Sequence, residues 1–142
     1  MAGKVSVSSG LVPFEIYFED RKKSITIYFN PTDPLLPQRL LDVEKRIAEK
    51  LDKLSYKPEG KVDAAAYIKA IDEMNQVVCS EVDYAFGNAV SGAVFQFCAP
   101  LTIIGGKYFV TIFLEAITPR ITMTIDKENK NFIEYIEEYI ND

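Results

Sequence analysis

Leu36, Leu40, Val43, Ile47, Leu51 and Leu54 follow one another at steps of four, three, four, four and three residues. That spacing lays all six on one side of a helix, which then requires an apolar surface to pack against. Asp42, Glu44, Lys45, Arg46, Glu49, Lys50, Asp52 and Lys53 take the other faces, so the helix is amphipathic. Asp33 is a candidate N-cap and Pro34 suits a first turn. Lys57-Pro58-Glu59-Gly60 reads as the loop that closes it. A second helix is expected from near Asp63 to Phe86, with Ala64, Ile68, Ile71, Val78, Val82 and Ala85 along one side and Gly87 as its stop. Together they predict an antiparallel helical hairpin over residues 34–87.

Ahead of it lies a different period. Phe14, Ile16 and Phe18 alternate with Glu15, Tyr17 and Glu19, and after a charged turn Ile25, Ile27 and Phe29 alternate with Thr26 and Tyr28. Period two with aromatic and β-branched residues predicts a β-hairpin over residues 12–30, ended by Asn30-Pro31 because proline cannot continue a ladder. Residues 88–119 form an apolar, glycine-punctuated region. Within it, residues 107–117 fit a strand through Tyr108, Val110, Ile112 and Leu114, or a helix through Phe109, Phe113 and Ile117. Length and a stop at Pro119 favour the helix. In the tail, residues 126–140, Phe132, Ile136, Tyr139 and Ile140 mark a last helix. The expected fold is α+β, mainly α, in a single domain over residues 1–142, with no internal repeat.

Charge and polarity narrow the function. The formal net charge is −5, and residues 126–142 carry six acids against Lys127 and Lys130, a net of −4. Phosphate binding needs clustered Lys and Arg, so no nucleic-acid partner is expected. The acidic tail reads first as a solvated helix face. From Tyr84 to Gly106 no residue is charged, a run long enough to span a bilayer. Gly87, Asn88, Ser91, Gly92, Gln96, Pro100 and Gly105-Gly106 interrupt it, so a core or an oligomer interface is expected instead of a membrane segment. The first residues lack the apolar run of a signal peptide, and Cys79 and Cys98 have no metal or redox spacing. Both points predict a cytosolic protein with free thiols.

Catalytic chemistry has little to start from. The chain has no histidine, which removes the commonest general base and metal ligand. The acid pairs Asp72-Glu73, Glu81 with Asp83 and Glu137-Glu138 lie on polar helix faces, where solvation is the expected role. Gly105-Gly106-Lys107 lacks the spacing of a phosphate loop and the Ser or Thr after the lysine, so it reads as a turn. No catalytic residue, metal or cofactor is expected. The aromatics Tyr84, Phe86, Phe95, Phe97, Tyr108, Phe109 and Phe113 crowd residues 84–113, enough for a core and an exposed patch besides.

The order of features carries a resemblance. Asn30-Pro31 after a hairpin, a helical pair, Asp83-Tyr84-Ala85-Phe86-Gly87, Val94-Phe95, Pro100, Gly106-Lys107-Tyr108, Phe113-Leu114-Glu115-Ala116-Ile117, Pro119 and a tail with Tyr135 and Tyr139 succeed one another. This succession resembles the small tail-assembly chaperones of phages and prophages of Gram-positive bacteria, over residues from about Phe14 to Tyr139. One departure is Gln96, where such proteins often place a glycine after the second phenylalanine. The resemblance implies a non-enzymatic holdase in the host cytoplasm, self-associating and binding a phage tape-measure protein or another apolar helical client. The expected client surface comprises Phe86, Phe95, Phe97, Phe109, Phe113, Leu114 and Pro119. The competing expectations are a structural component of the tail or virion, a cytosolic adaptor unrelated to phage, and a small enzyme.

Overall fold

A computed structural model describes residues 3–53 and 64–141, with side chains described as far as residue 138. The loop at residues 57–60, Leu54, the expected helix start at Asp63 and the side chains of Tyr139 and Ile140 lie outside what it describes. The architecture is α+β and mainly helical: a hairpin of β1 (Val12–Phe18) and β2 (Lys23–Phe29), then α1 (Leu36–Lys53), α2 (Ala64–Phe86), a single turn α3 (Ser91–Val94), a small hairpin of β3 (Ile103–Ile104) and β4 (Lys107–Tyr108), and α4 (Phe109–Asn141).

The first hairpin pairs Phe14 with Ile27 and Ile16 with Ile25, which puts the apolar alternation of both strands on one face. Its turn is closed by the Arg21 N–H donating to the Phe18 carbonyl at 3.2 Å and by Lys22 in a left-handed conformation, φ 53°. Ile25, Ile27 and Phe29 are buried, whereas Phe14, Ile16 and Phe18 are only half-buried. β2 therefore lies more fully over the core than β1, and among the described residues the outer edge of each strand is unpaired.

The stripe of α1 packs as its spacing requires: Leu36, Leu40, Val43 and Ile47 are buried and Leu51 is half-buried. α2 contributes Met74, Val78, Val82, Ala85 and Phe86. Arg39 lies by Ala85 and Arg46 by Glu81, so the two helices run antiparallel. Ala64 and Ile68, expected on the packed side of α2, are exposed, because the helix begins beyond the part of α1 that covers it. Aromatic rings knit the layers: Phe14 stacks on Phe29 at 4.6 Å, Phe29 meets Phe86 edge-on at 4.8 Å, and Phe86 meets Phe113 at 6.0 Å.

Gly105 and Gly106 make the tight turn of the second hairpin with φ of 59° and 82°. Two successive positive φ values are the signature of a type I′ turn, which suits Gly-Gly. Residues 107–108 are thus strand, and the helix expected for the rest of that segment begins at Phe109. It does not stop at Pro119: α4 continues through it to Asn141. A proline inside a helix costs about 3 kcal/mol, because one N–H is lost and its ring crowds the preceding turn. Ile117 and Ile121, buried on either side of it, return about 1.5–3 kcal/mol each. The carbonyl deprived of its donor belongs to Glu115, which is exposed and open to water. Thr118, Thr122 and Thr124 donate their hydroxyls to the carbonyls four residues back, at 2.6, 3.2 and 3.0 Å. Among the described residues no helix is long and apolar enough to cross a membrane.

Candidate functional site

The seven residues expected to face a client divide sharply. Phe86, Phe109, Phe113 and Leu114 belong to the core, although Phe113 also lines the groove between β1 and α4 and Leu114 a smaller cleft against α1. Phe95 and Phe97 are half-buried. Phe95 meets Phe109 edge-on at 6.0 Å, and Phe97 meets Phe18 edge-on at 5.4 Å. The outer face of Phe97 is covered by Arg21 and Lys23, 5.6 and 5.8 Å from its ring centre, and Arg21 also donates to the Phe97 carbonyl at 2.9 Å. Pro119 is exposed, on the side of α4 turned away from this cluster's core. The charge-free run thus serves mainly to close the core. Gln96 does not adopt a positive φ, so the missing glycine leaves no strain beside Phe95.

Large apolar surface is exposed elsewhere. From Asp126 to Glu138 every side chain of α4 is exposed except Ile136, which is half-buried; Phe132 is 62% exposed and Ile133 56%. Ile121, Ile125, Phe132 and Ile136 recur at steps of four, seven and four, so the tail carries onward the helix side that packs on α1. Ile121 and Ile125 line a cleft against Leu40 and Leu41 near the start of α1, whereas Val110 and Leu114 lie against Ile47 and Leu51 farther along it. α4 therefore runs antiparallel to α1 and outlasts it. Beyond Ile125, among the described residues, Phe132 stands open to water and only Ile136 is half-buried. Those 13 residues extend for about 20 Å at the usual helical rise. Glu128 borders the stripe and Glu134, Glu137 and Glu138 take the other faces of the helix, which keeps the segment hydrated when the stripe is empty.

A second exposed feature is a groove of about 540 Å³ between β1 and α4. Its walls include Phe14 and Ile16 on the strand and Ala116, Ile117 and Met123 on the helix, with Glu15, Arg120 and Lys127 at the rim. The tail stripe was visible in the sequence as a helix face, and only the structure leaves it unpacked. The groove carried no sequence signal, because its two walls are separated by a hundred residues.

Polar groups inside the domain are committed to holding it together. Asp83 accepts the backbone N–H groups of Val90 and Ser91 at 2.8 and 2.7 Å and the Ser91 hydroxyl at 2.8 Å, so a carboxylate of α2 caps α3. Arg39 donates to Asp33 at 2.6 Å and to the Ala85 carbonyl at 3.1 Å, near the end of α2 where cations are favoured. The Leu35 N–H and then Arg39 hold the Asp33 carboxyl below its ordinary range. Arg46 ties Glu81 to α1 at 2.7 Å and covers the Tyr84 ring at 5.1 Å. Burial pushes the Cys79 thiol up, with the charge of Asp83 adding to the effect and a bond with Ser91 partly offsetting it, an environment that opposes a thiolate. Among the described residues no group of three or more acids or cysteines is placed to hold a metal ion. Comparison with protein-family models, characterised proteins and solved structures returned no match.

Proposed function

We propose that the chain is a non-enzymatic tail-assembly chaperone of a phage or prophage, keeping a tape-measure protein soluble until the tail tube closes around it. The observation that carries the reading is the unpacked stripe on the projecting end of α4. A holdase needs apolar surface that stays in water when empty and lies against a client helix when loaded, and an amphipathic helix extending past its own domain provides both. Apolar contact, at about 25 cal/mol per Å², demands no fixed side-chain geometry and so suits a long client with many similar segments. The order of sequence features supports the same reading. The client surface moves accordingly from residues 86–119 to Phe132, Ile133 and Ile136, on a segment whose net charge of −4 over residues 126–142 favours a client that carries Lys or Arg.

Co-expression with the tape-measure protein of the same phage tests this. Phe132→Ser combined with Ile136→Ser is expected to send the client to the insoluble fraction. The variant itself should keep the melting temperature of the parent, since neither side chain supports the core. A client held soluble equally well by the variant refutes the assignment of the surface. Recovery of the chain in fixed proportion from purified, washed particles would establish a structural tail component instead.

A further inference from the structure

Residues 3–11 precede β1 and every one of them is exposed, Val5 at 88% and Val7 at 86%. Val5 and Val7 alternate with Lys4, Ser6 and Ser8, the two-residue period of a strand with one apolar face. Among the described residues no strand pairs with this arm. It leaves the hairpin at Gly10, φ +85°, where the Asn30 side chain donates to the Ser9 carbonyl at 2.9 Å. A Cβ on Gly10 would meet that same amide at 3.0 Å, so the close approach needs the glycine. Asn30 follows β2, and the clamp therefore holds the arm at the β2 end of the sheet rather than along β1.

On the opposite side, β1 has an unpaired edge beside an apolar groove. Such an edge is a template for one more strand, and left bare it is an aggregation hazard. We infer that the arm of a second copy of this chain lies in the groove and adds a third strand to the β1 edge. Val5 and Val7 then face Ala116, Ile117 and Met123, while Ser6 and Ser8 face water. Lys4, the only charge on the arm, is brought to the side where Glu15 stands on the rim. The lengths agree: nine extended residues reach about 30 Å and the seven of β1 about 23 Å, which leaves Gly10 free to turn. Pro13 has no N–H to offer, so pairing is confined to the edge beyond it. Each chain both gives an arm and receives one. Reciprocal exchange closes a two-fold dimer, and one-way exchange builds a longer assembly. This association is independent of the client and does not use the α4 tail.

Sedimentation of the full chain from low micromolar to submillimolar concentration is the test. The parent is expected to associate. Val7→Asp on the arm and Met123→Asp in the groove should each weaken association by at least about tenfold, the effect of setting a carboxylate in apolar surroundings. Both positions are exposed in the single chain, so the circular dichroism of each variant should match the parent. An equimolar mixture of the two variants restores one good arm and one good groove, and it should associate more tightly than either variant alone. Phe132→Ser should leave association unchanged. A parent that stays monomeric throughout overturns the inference, as does association that survives both aspartates, or a mixture no tighter than its components.

Discussion

Asp83→Ala should be among the most damaging single substitutions of a charged residue in this protein. The carboxylate accepts two backbone N–H groups and one hydroxyl at the start of α3. Val90 is buried, so its amide is left without water or partner, at about 1–3 kcal/mol. Ser91 is half-buried and water replaces part of what it loses, leaving about 1 kcal/mol for a missing cap. The sum is about 2–4 kcal/mol, which lowers the melting temperature of a chain this size by roughly 10 °C. Asp83→Asn is the informative control. Its Oδ1 still accepts both amides and its amide nitrogen can donate to the Ser91 hydroxyl, so only the charge assistance goes, about 1 kcal/mol. Thermal denaturation followed by far-ultraviolet circular dichroism measures both variants. An alanine variant that melts within about 2 °C of the parent, or an asparagine variant as weak as the alanine, would show that the cap contributes little.

Three further outcomes are expected. Ile47→Ala removes a buried side chain from the centre of the α1 stripe and should cost about 2–5 kcal/mol by denaturant titration. Lys22→Gly relieves a left-handed backbone at an exposed turn and should raise stability by up to about 1 kcal/mol in the same assay. Asp33 is depressed in the folded state, so the unfolded chain takes up the proton first as pH falls. Its contribution is complete above the ordinary carboxylate value of about 3.9 and is lost as the pH drops below that through the folded value. Asp33→Asn should therefore flatten the acid limb of a stability–pH curve, and a limb of unchanged steepness would exclude Asp33 as a source of it.

Local pattern carried most of the secondary structure. The steps of α1, the alternation of the first hairpin, the stop at Gly87 and the turn at Gly105-Gly106 are each decided within a few residues, and each stands where its pattern put it. What depends on distant neighbours was not legible. Phe86, Phe109, Phe113 and Leu114 have the composition of an exposed patch as much as of a core, and only the fold sets the three rings by the hairpin and Leu114 against α1. Phe132 and Ile136 show the same helical stripe whether or not anything lies under it. Pro119 carries a strong local stop signal, overridden by the burial of Ile117 and Ile121. Asp83 reads as one more solvated acid of α2 until the chain returns to bring Val90 and Ser91 within reach. Val5 and Val7 alternate too briefly to announce a strand without an edge to receive it.

The passage of α4 through Pro119 decides why apolar surface remains open at all. A helix that ended there would free residues 120–141 to fold back, and their apolar side chains could cover the groove beside β1 or the exposed start of α2. A single continuous helix of 33 residues does not fold back in this way. Its first turns close the core through Val110, Phe113 and Leu114, its middle floors the groove through Ala116 and Met123, and its end carries Phe132 and Ile136 out of reach of their own domain. Covering the groove or the stripe therefore requires another molecule. The two surfaces differ in what they favour: an edge strand beside a groove selects an extended segment, whereas a bare amphipathic helix selects another helix. Two tails brought together would face acid against acid, with a net of −4 on each over residues 126–142, so the stripe disfavours a second copy of itself. Self-association through the arm and client binding through the tail can then proceed on one helix without competing for the same surface.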